Sequence, residues 1–183
     1  MLTLASKTRH KCFISYHHAD EDEVQNFIET FDHNQDVLIA RGIGASMSGD
    51  IINSQNSDYI MSQIRAKYLR NTTVTIVMIG KNTWGRKFVD WEIAASLRNT
   101  VTHSASGLLG ITLPSAMDNP FIPLPARLSD NLDTEHEEYG YAYHRDYPFT
   151  AEVLAHMIDI AYSARTAKSH LRNNCRPLRQ RNA

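Results

Sequence analysis

The run Thr73-Val74-Thr75-Ile76-Val77-Met78-Ile79-Gly80 constrains the fold more than any other part of the chain. A strand with one face in water alternates apolar and polar residues. This run is apolar almost throughout and halts at a glycine, the pattern of a central strand in a parallel sheet covered on both faces. Parallel neighbours cannot be joined by hairpins, so such a strand commits the chain to crossover connections packed on the sheet. The flanking sequence supplies them. Lys11-Cys12-Phe13-Ile14-Ser15-Tyr16 is rich in β-branched and aromatic residues and predicts a first strand. An acidic turn, Asp20 to Glu23, then opens a helix on which Val24, Phe27, Ile28 and Phe31 recur at helical spacing. Residues 36–40 predict a second strand, and a helix over 57–69 carries Ile60, Ile64 and Tyr68 on one face. A third helix is predicted over 89–97 and a fourth strand over 108–113. Val153, Leu154, Met157, Ile158, Ala161 and Tyr162 mark a last amphipathic helix. The fold class is therefore α/β, a three-layer sandwich with a central parallel sheet and helices on both faces.

Residues 114–148 are rich in Pro, Asp and Tyr and show no clean period. They read as a long surface loop region with a short edge strand around Tyr141-Ala142-Tyr143. A chain of 183 residues with 42% hydrophobic content can bury one sizeable core. The expected organisation is one domain over 1–166 and a basic tail over 167–183. All 20 acidic residues and 13 of the 19 Lys and Arg lie in 1–159, a net charge of −7; six basic residues and no acidic ones follow. Without interleaved aromatics the tail does not predict a nucleic-acid partner. It reads as a solvated extension, or as one docked on the acidic body. It has no apolar period to bury, so removing residues 168–183 is expected to leave the melting temperature unchanged. No run of about 18 apolar residues exists, so no membrane span is expected. Cys12 and Cys175 offer neither metal spacing nor a disulfide framework. The polar stretch Met1 to Lys7 does not read as a signal peptide, and a cytoplasmic, reduced protein is expected.

Open parallel sheets bind ligands outside the carboxyl ends of their strands. That directs attention to residues 15–20, 41–49 and 80–88. Gly42, Gly44 and Gly49 give GxGxxxxG, which is not the dinucleotide spacing. In Gly80 to Lys87 the Lys falls one place late for a P-loop, and Phe88 stands where a magnesium-binding hydroxyl belongs. Both stretches read as turns. His17 and His18 are adjacent, so on an extended strand end they point to opposite sides and do not chelate one ion. No GxSxG elbow or Cys/His pairing is present. Glu92 is left, near the strand ends and flanked by Trp91 and by the stripe Val89, Ile93 and Leu97. By residue type alone a helical Glu is most often a solvated one.

In combination these segments resemble a known family. Lys11-Cys12-Phe13-Ile14-Ser15-Tyr16, followed by His17, resembles the first strand of TIR (Toll/interleukin-1 receptor) domains. Gly80-Lys81-Asn82-Thr83-Trp84, then Phe88-Val89-Asp90-Trp91-Glu92-Ile93, resembles the TIR segment in which a polar loop leads to an aromatic and, four residues later, a Glu. With Asn71-Thr72-Thr73-Val74, the pattern is most similar to the TIR-like proteins of bacterial Thoeris anti-phage defence, in the flavodoxin-like TIR branch. The resemblance covers residues 10–112. It implies an enzyme that cleaves the nicotinamide–ribose bond of NAD and makes a signal nucleotide, a cyclic ADP-ribose isomer or an ADP-ribose conjugate. Carried over by position, Glu92 is the catalytic residue, and Phe13, Ser15, Tyr16, His17, Ser46, Asn82, Thr83 and Trp84 line the substrate cleft. NAD is then substrate, and neither a further cofactor nor a metal is implied. The implied partners are a separate effector reached through the diffusible nucleotide, a phage-derived trigger, and further copies of the chain when active. Two other readings stay open: a non-catalytic TIR-like assembly module, and a flavodoxin-like nucleotide or flavin binder.

Overall fold

Five strands form one sheet in a computed structural model that describes residues 8–43, 54–101, 103–133, 135 and 140–183. They are β1 (His10–Ser15), β2 (Leu38–Ile43), β3 (Val74–Ile79), β4 (Gly107–Thr112) and β5 (Ala142–Asp146). All pairings are parallel and the order is β2-β1-β3-β4-β5. β3 lies at the centre and every one of its residues is buried, as its apolar run requires. This strand order is flavodoxin-like, and the chain reverses its direction of travel across the sheet between β1 and β3. Ser15, the last residue of β1, is in register with Val77 there.

Side-chain parity divides the core. Cys12, Ile14, Val74, Ile76 and Met78 face α1 (Glu21–Ile28) and α5 (Ala151–Ala167), where Phe27, Phe31, Leu154, Met157 and Ile158 cover them. Phe13 faces the other way, onto Ile60, Met61 and Ile64 of α2 (Ser57–Lys67) and onto Trp91, Ala94 and Ala95 of α3 (Lys87–Ser96). Val77, Ile79 and Leu108 pack on Val89, Ile93 and Leu97 on that same side. α5 presses so closely on β4 that a Cβ at Gly107 would collide with the carbonyl of Ala161. The α/β sandwich with helices on both faces is thus present. Among the described residues no helix is long and apolar enough to cross a membrane.

Most boundaries shift by one or two residues, and three departures from the sequence expectations are larger or change the local structure. Asp36 adopts a left-handed φ of 52°, so the turn out of the first helix consumes it and β2 begins at Leu38. Before that turn, α1 widens to π-type hydrogen bonding over Glu29–Asn34. The expected edge strand near residues 141–143 is real but lies at Ala142–Asp146. A four-residue helix, α4 (Ala126–Ser129), interrupts the loop region that precedes it.

Of the two readings of the basic segment, the contacts favour the docked one. Residues 173–183 lie along α3 and α4 instead of standing off in solvent. The absence of an apolar period hid this because the contacts are polar and largely to main chain. Arg127 of α4 is 1% exposed and uses all five guanidinium donors. It meets Asp90 of α3 at 2.9 and 3.2 Å, Asn174 Oδ1 at 2.9 Å, and the carbonyls of Arg176 and Pro177 at 2.8 and 3.1 Å. Asn174 also donates to the Ala94 carbonyl, and Arg176 pairs with Asp130 at 2.7 Å. α3 is consequently buried on every side from Val89 to Ser96, between the sheet and this segment.

Candidate active site

The β1/β3 reversal is a topological switch point, and in open parallel sheets the crevice that takes ligands lies outside the carboxyl ends of the strands there. Ser15 closes β1 with its side chain on the α3 face, fully buried. Glu92, one and a half turns into α3, meets it there: Ser15 Oγ donates to Glu92 Oε2 at 2.6 Å. No described residue hydrogen-bonds Oε1. Only 3% of Glu92 is exposed, so the usual solvation of a helical Glu is missing. Burial pushes its pKa up to about 8, against the opposing pull of the Ser15 hydrogen bond. The crevice therefore holds a carboxyl group that shifts between neutral and charged forms near physiological pH.

The rim is built by two turns. After β1, His17 precedes a single helical turn, His18–Asp20, closed by the Asp20 amide on the His17 carbonyl at 2.8 Å. Burial lowers the pKa of His17, and the nearby Arg86 and His18 lower it further, so its imidazole is neutral at pH 7. After β3, Thr83 accepts from the Gly80 amide at 2.9 Å and shares its hydroxyl proton between Asp20 Oδ2 at 3.3 Å and the Met78 carbonyl at 3.4 Å. A Cβ at Gly80 would collide with the Asp20 carboxylate, so glycine is what lets the two turns meet. Burial raises the Asp20 pKa, with the Thr83 hydrogen bond opposing. Among the described residues no three His, Cys, Asp or Glu side chains cluster to hold a metal ion.

The residues named from sequence separate into groups. Glu92 and Ser15 touch; His17 follows the end of β1, and Asn82, Thr83 and Trp84 lie on the turn after β3. Thr83 is fully buried and acts as the latch between turns. Asn82 is exposed and accepts from Arg86 Nε through its carbonyl at 3.1 Å. Trp84, on the same turn, is 38% exposed, and the Arg179 guanidinium lies near its ring. Tyr16 and Phe13 are both buried; burial and then the charges of Glu21 and Glu92 raise the Tyr16 pKa, so its hydroxyl lies within electrostatic reach of Glu92. Tyr16, one residue past Ser15, turns to the α1 face and packs in that core, while Phe13 lies fully buried beneath Ser15 against α2 and α3. Ser46 falls outside the described residues. Sequence reasoning missed Asp20 as a rim group, Arg86 beside it, and the Asp90–Arg127 pair that anchors α3. Asp20 was legible only as an acid at a helix start. Nothing near Arg127 in sequence announces a buried partner.

Comparison with protein families matches residues 13–118 to the family described as Thoeris protein ThsB, TIR-like domain. The matched stretch runs from β1 past the end of β4. It includes both rim turns and Glu92, and it stops before α4, β5, α5 and the basic segment. No curated protein matches the chain significantly.

Proposed function

Since the chain belongs to the TIR-like domain family of Thoeris protein ThsB, a defence-related TIR module, we propose that its β1/β3 crevice cleaves the nicotinamide–ribose bond of NAD and passes the ADP-ribosyl group into a signal nucleotide. One observation carries the reading: a buried carboxyl group, Glu92, at the ligand-binding end of the sheet, held by Ser15 and titrating near 8. In the reaction the bond between ribose C1′ and the pyridinium nitrogen breaks heterolytically. Its electron pair leaves with nicotinamide, which departs neutral and needs no general acid. C1′ becomes oxocarbenium-like, as in glycoside hydrolysis. Ionised Glu92 stabilises that charge and accepts from a ribose hydroxyl through Oε1. The cationic pyridinium ring favours the ionised form of Glu92 on binding, since an opposite charge lowers a carboxyl pKa.

The rim supplies the rest. The Trp84 ring stacks on a base, neutral His17 donates to a substrate oxygen, and Arg86 gives positive charge for the diphosphate. A nucleophile then adds at C1′: water and an external amine each lose a proton and give ADP-ribose and a conjugate, while an adenine ring nitrogen, which carries no proton, gives a cyclic isomer whose positive charge is relieved by loss of a proton from the exocyclic amino group. NAD is the substrate, and the product acts on a separate effector. A phage-derived trigger and assembly of several copies switch the reaction on. The test is nicotinamide release from NAD by the protein beside Glu92→Gln. Release that disappears in Glu92→Gln while the variant melts no lower than the wild type supports the reading. Equal release by both proteins removes Glu92 from the chemistry. Partner binding by both proteins, with NAD untouched, assigns a non-catalytic assembly module instead.

A further inference from the structure

α3 starts without a cap of its own. Arg86 stands at the N-cap position in extended backbone, with no side-chain bond to the first turn. The first amides of a helix have no partner inside it and are costly to leave bare. Asn182, 95 residues along the chain, supplies one: its Oδ1 accepts from the Lys87 amide at 2.8 Å. Asparagine is a preferred cap because its short side chain carries an oxygen to just this kind of donor. Here it arrives from a separate segment. The neighbours of Asn182 hold the same junction. The Ala183 amide donates to the Gly85 carbonyl at 3.0 Å, the Arg179 amide to Asp90 Oδ2 at 2.8 Å, and Trp91 Nε1 to the Arg179 carbonyl at 2.9 Å. The Arg179 guanidinium lies 5.9 Å from the centre of the Trp84 ring. At Gly85 a Cβ would press on Ala183 at 2.9 Å, so strap and turn pack without a gap.

These contacts fall on residues 84–91, between the Thr83 latch and Glu92, and none of them reaches the sheet. Residues 174–177 are tied separately, through Arg127. We propose that residues 178–183 are a positioning strap for Glu92: Asn182 caps α3 from outside and, with Arg179, fixes the junction that sets the Glu92 carboxyl against Ser15. Displacing a reacting group by about 1 Å can cost about 100-fold in rate, so a strap that adds little to the core has a large effect on turnover. The catalytic half of this proposal rests on the NAD-cleaving reading; the helix-fixing half does not.

Three variants test it: Asn182→Ala, Asn182→Asp (which keeps an acceptor oxygen), and deletion of 178–183, which leaves the Arg127 anchor in place. Hydrogen–deuterium exchange at the amides of 87–92 reads the helix start, and kcat and KM for NAD read its consequence. Expected are faster exchange at 87–92 with β3 and β4 unchanged, and a kcat lower by about fivefold in Asn182→Ala and more in the deletion, with KM within about twofold. Asn182→Asp should restore both. Unchanged exchange, exchange raised equally through β3 and β4, or faster exchange at 87–92 with kcat unchanged each overturns the strap's positioning role. If the wild-type protein releases no nicotinamide, the NAD reading has failed, and exchange alone then decides whether the strap fixes α3.

Discussion

Glu92 is a carboxyl group kept out of water, so replacing it with Gln should stabilise the fold by an amount that depends on pH. Its pKa is raised from 4.5 to about 8 by burial. Folded protein therefore holds this proton more tightly than unfolded chain does. Below about pH 4.5 the group is protonated in both states. Between 4.5 and 8 only the unfolded state ionises it, and stability falls by about 1.4 kcal/mol per pH unit. Above pH 8 the loss is complete. Gln does not titrate, and its side-chain oxygen can accept the Ser15 hydroxyl in place of Oε2. From about pH 5 to 7, Glu92→Gln should gain about 3 kcal/mol on the wild type, about 5–10 °C in Tm for a chain of this size. The gain should grow further to about pH 8 and then level off. Thermal melts of both proteins in matched buffers measure this, and the difference between them cancels every other titrating group. A difference that does not change with pH would refute the claim that the fold holds Glu92 uncharged. A difference that shrinks with rising pH would mean that the site favours the carboxylate.

The same raised pKa has a catalytic counterpart of defined sign. Because the ionised form acts, kcat/KM for NAD should rise about tenfold per pH unit up to about pH 8 and then flatten; a profile already flat from pH 6 would contradict it. Arg127→Met leaves Asp90 buried without its cation and should cost about 3–5 kcal/mol. Arg176→Ala, which breaks the more exposed pair with Asp130, should cost about 0–1 kcal/mol. Chemical denaturation separates the two, and equal losses would show that Arg127 is not the anchor. Deleting residues 168–183 removes three of the five Arg127 hydrogen bonds and should lower Tm markedly; an unchanged Tm would show that the segment does not dock.

What could be read in advance was whatever side-chain pattern encodes. Thr73 to Gly80 marked the central strand because burial on both faces leaves Thr75, bonded to Ser96, as the one polar residue between Val74 and Ile79. Ser15 and Glu92 were reachable through family pattern, and their contact then follows from topology, since the end of β1 and the start of α3 flank the same reversal. Tyr16, one residue beyond β1, packs in the α1-side core, yet its hydroxyl still feels the Glu92 charge that Ser15 bonds directly. The basic segment was illegible for a different reason. It binds through carbonyls of Arg176, Pro177 and Arg179 and through amides of Arg179 and Ala183, groups that every residue carries alike. Its Leu178 is the one apolar side chain packed on the core, too little to make a period. The burial of Arg127 is equally silent in sequence, because its partners lie 37 to 50 residues away.

The most direct test of Glu92 as the group that breaks the nicotinamide–ribose bond is mass spectrometry of NAD incubated with wild type and with Glu92→Gln. Each should be run alone, with added free amino acids, and with extract of phage-infected cells. The expected result is free nicotinamide from the wild type only, beside an ADP-ribose-derived mass that names the nucleophile. Intact NAD under all three conditions, or nicotinamide released equally by Glu92→Gln, would contradict it.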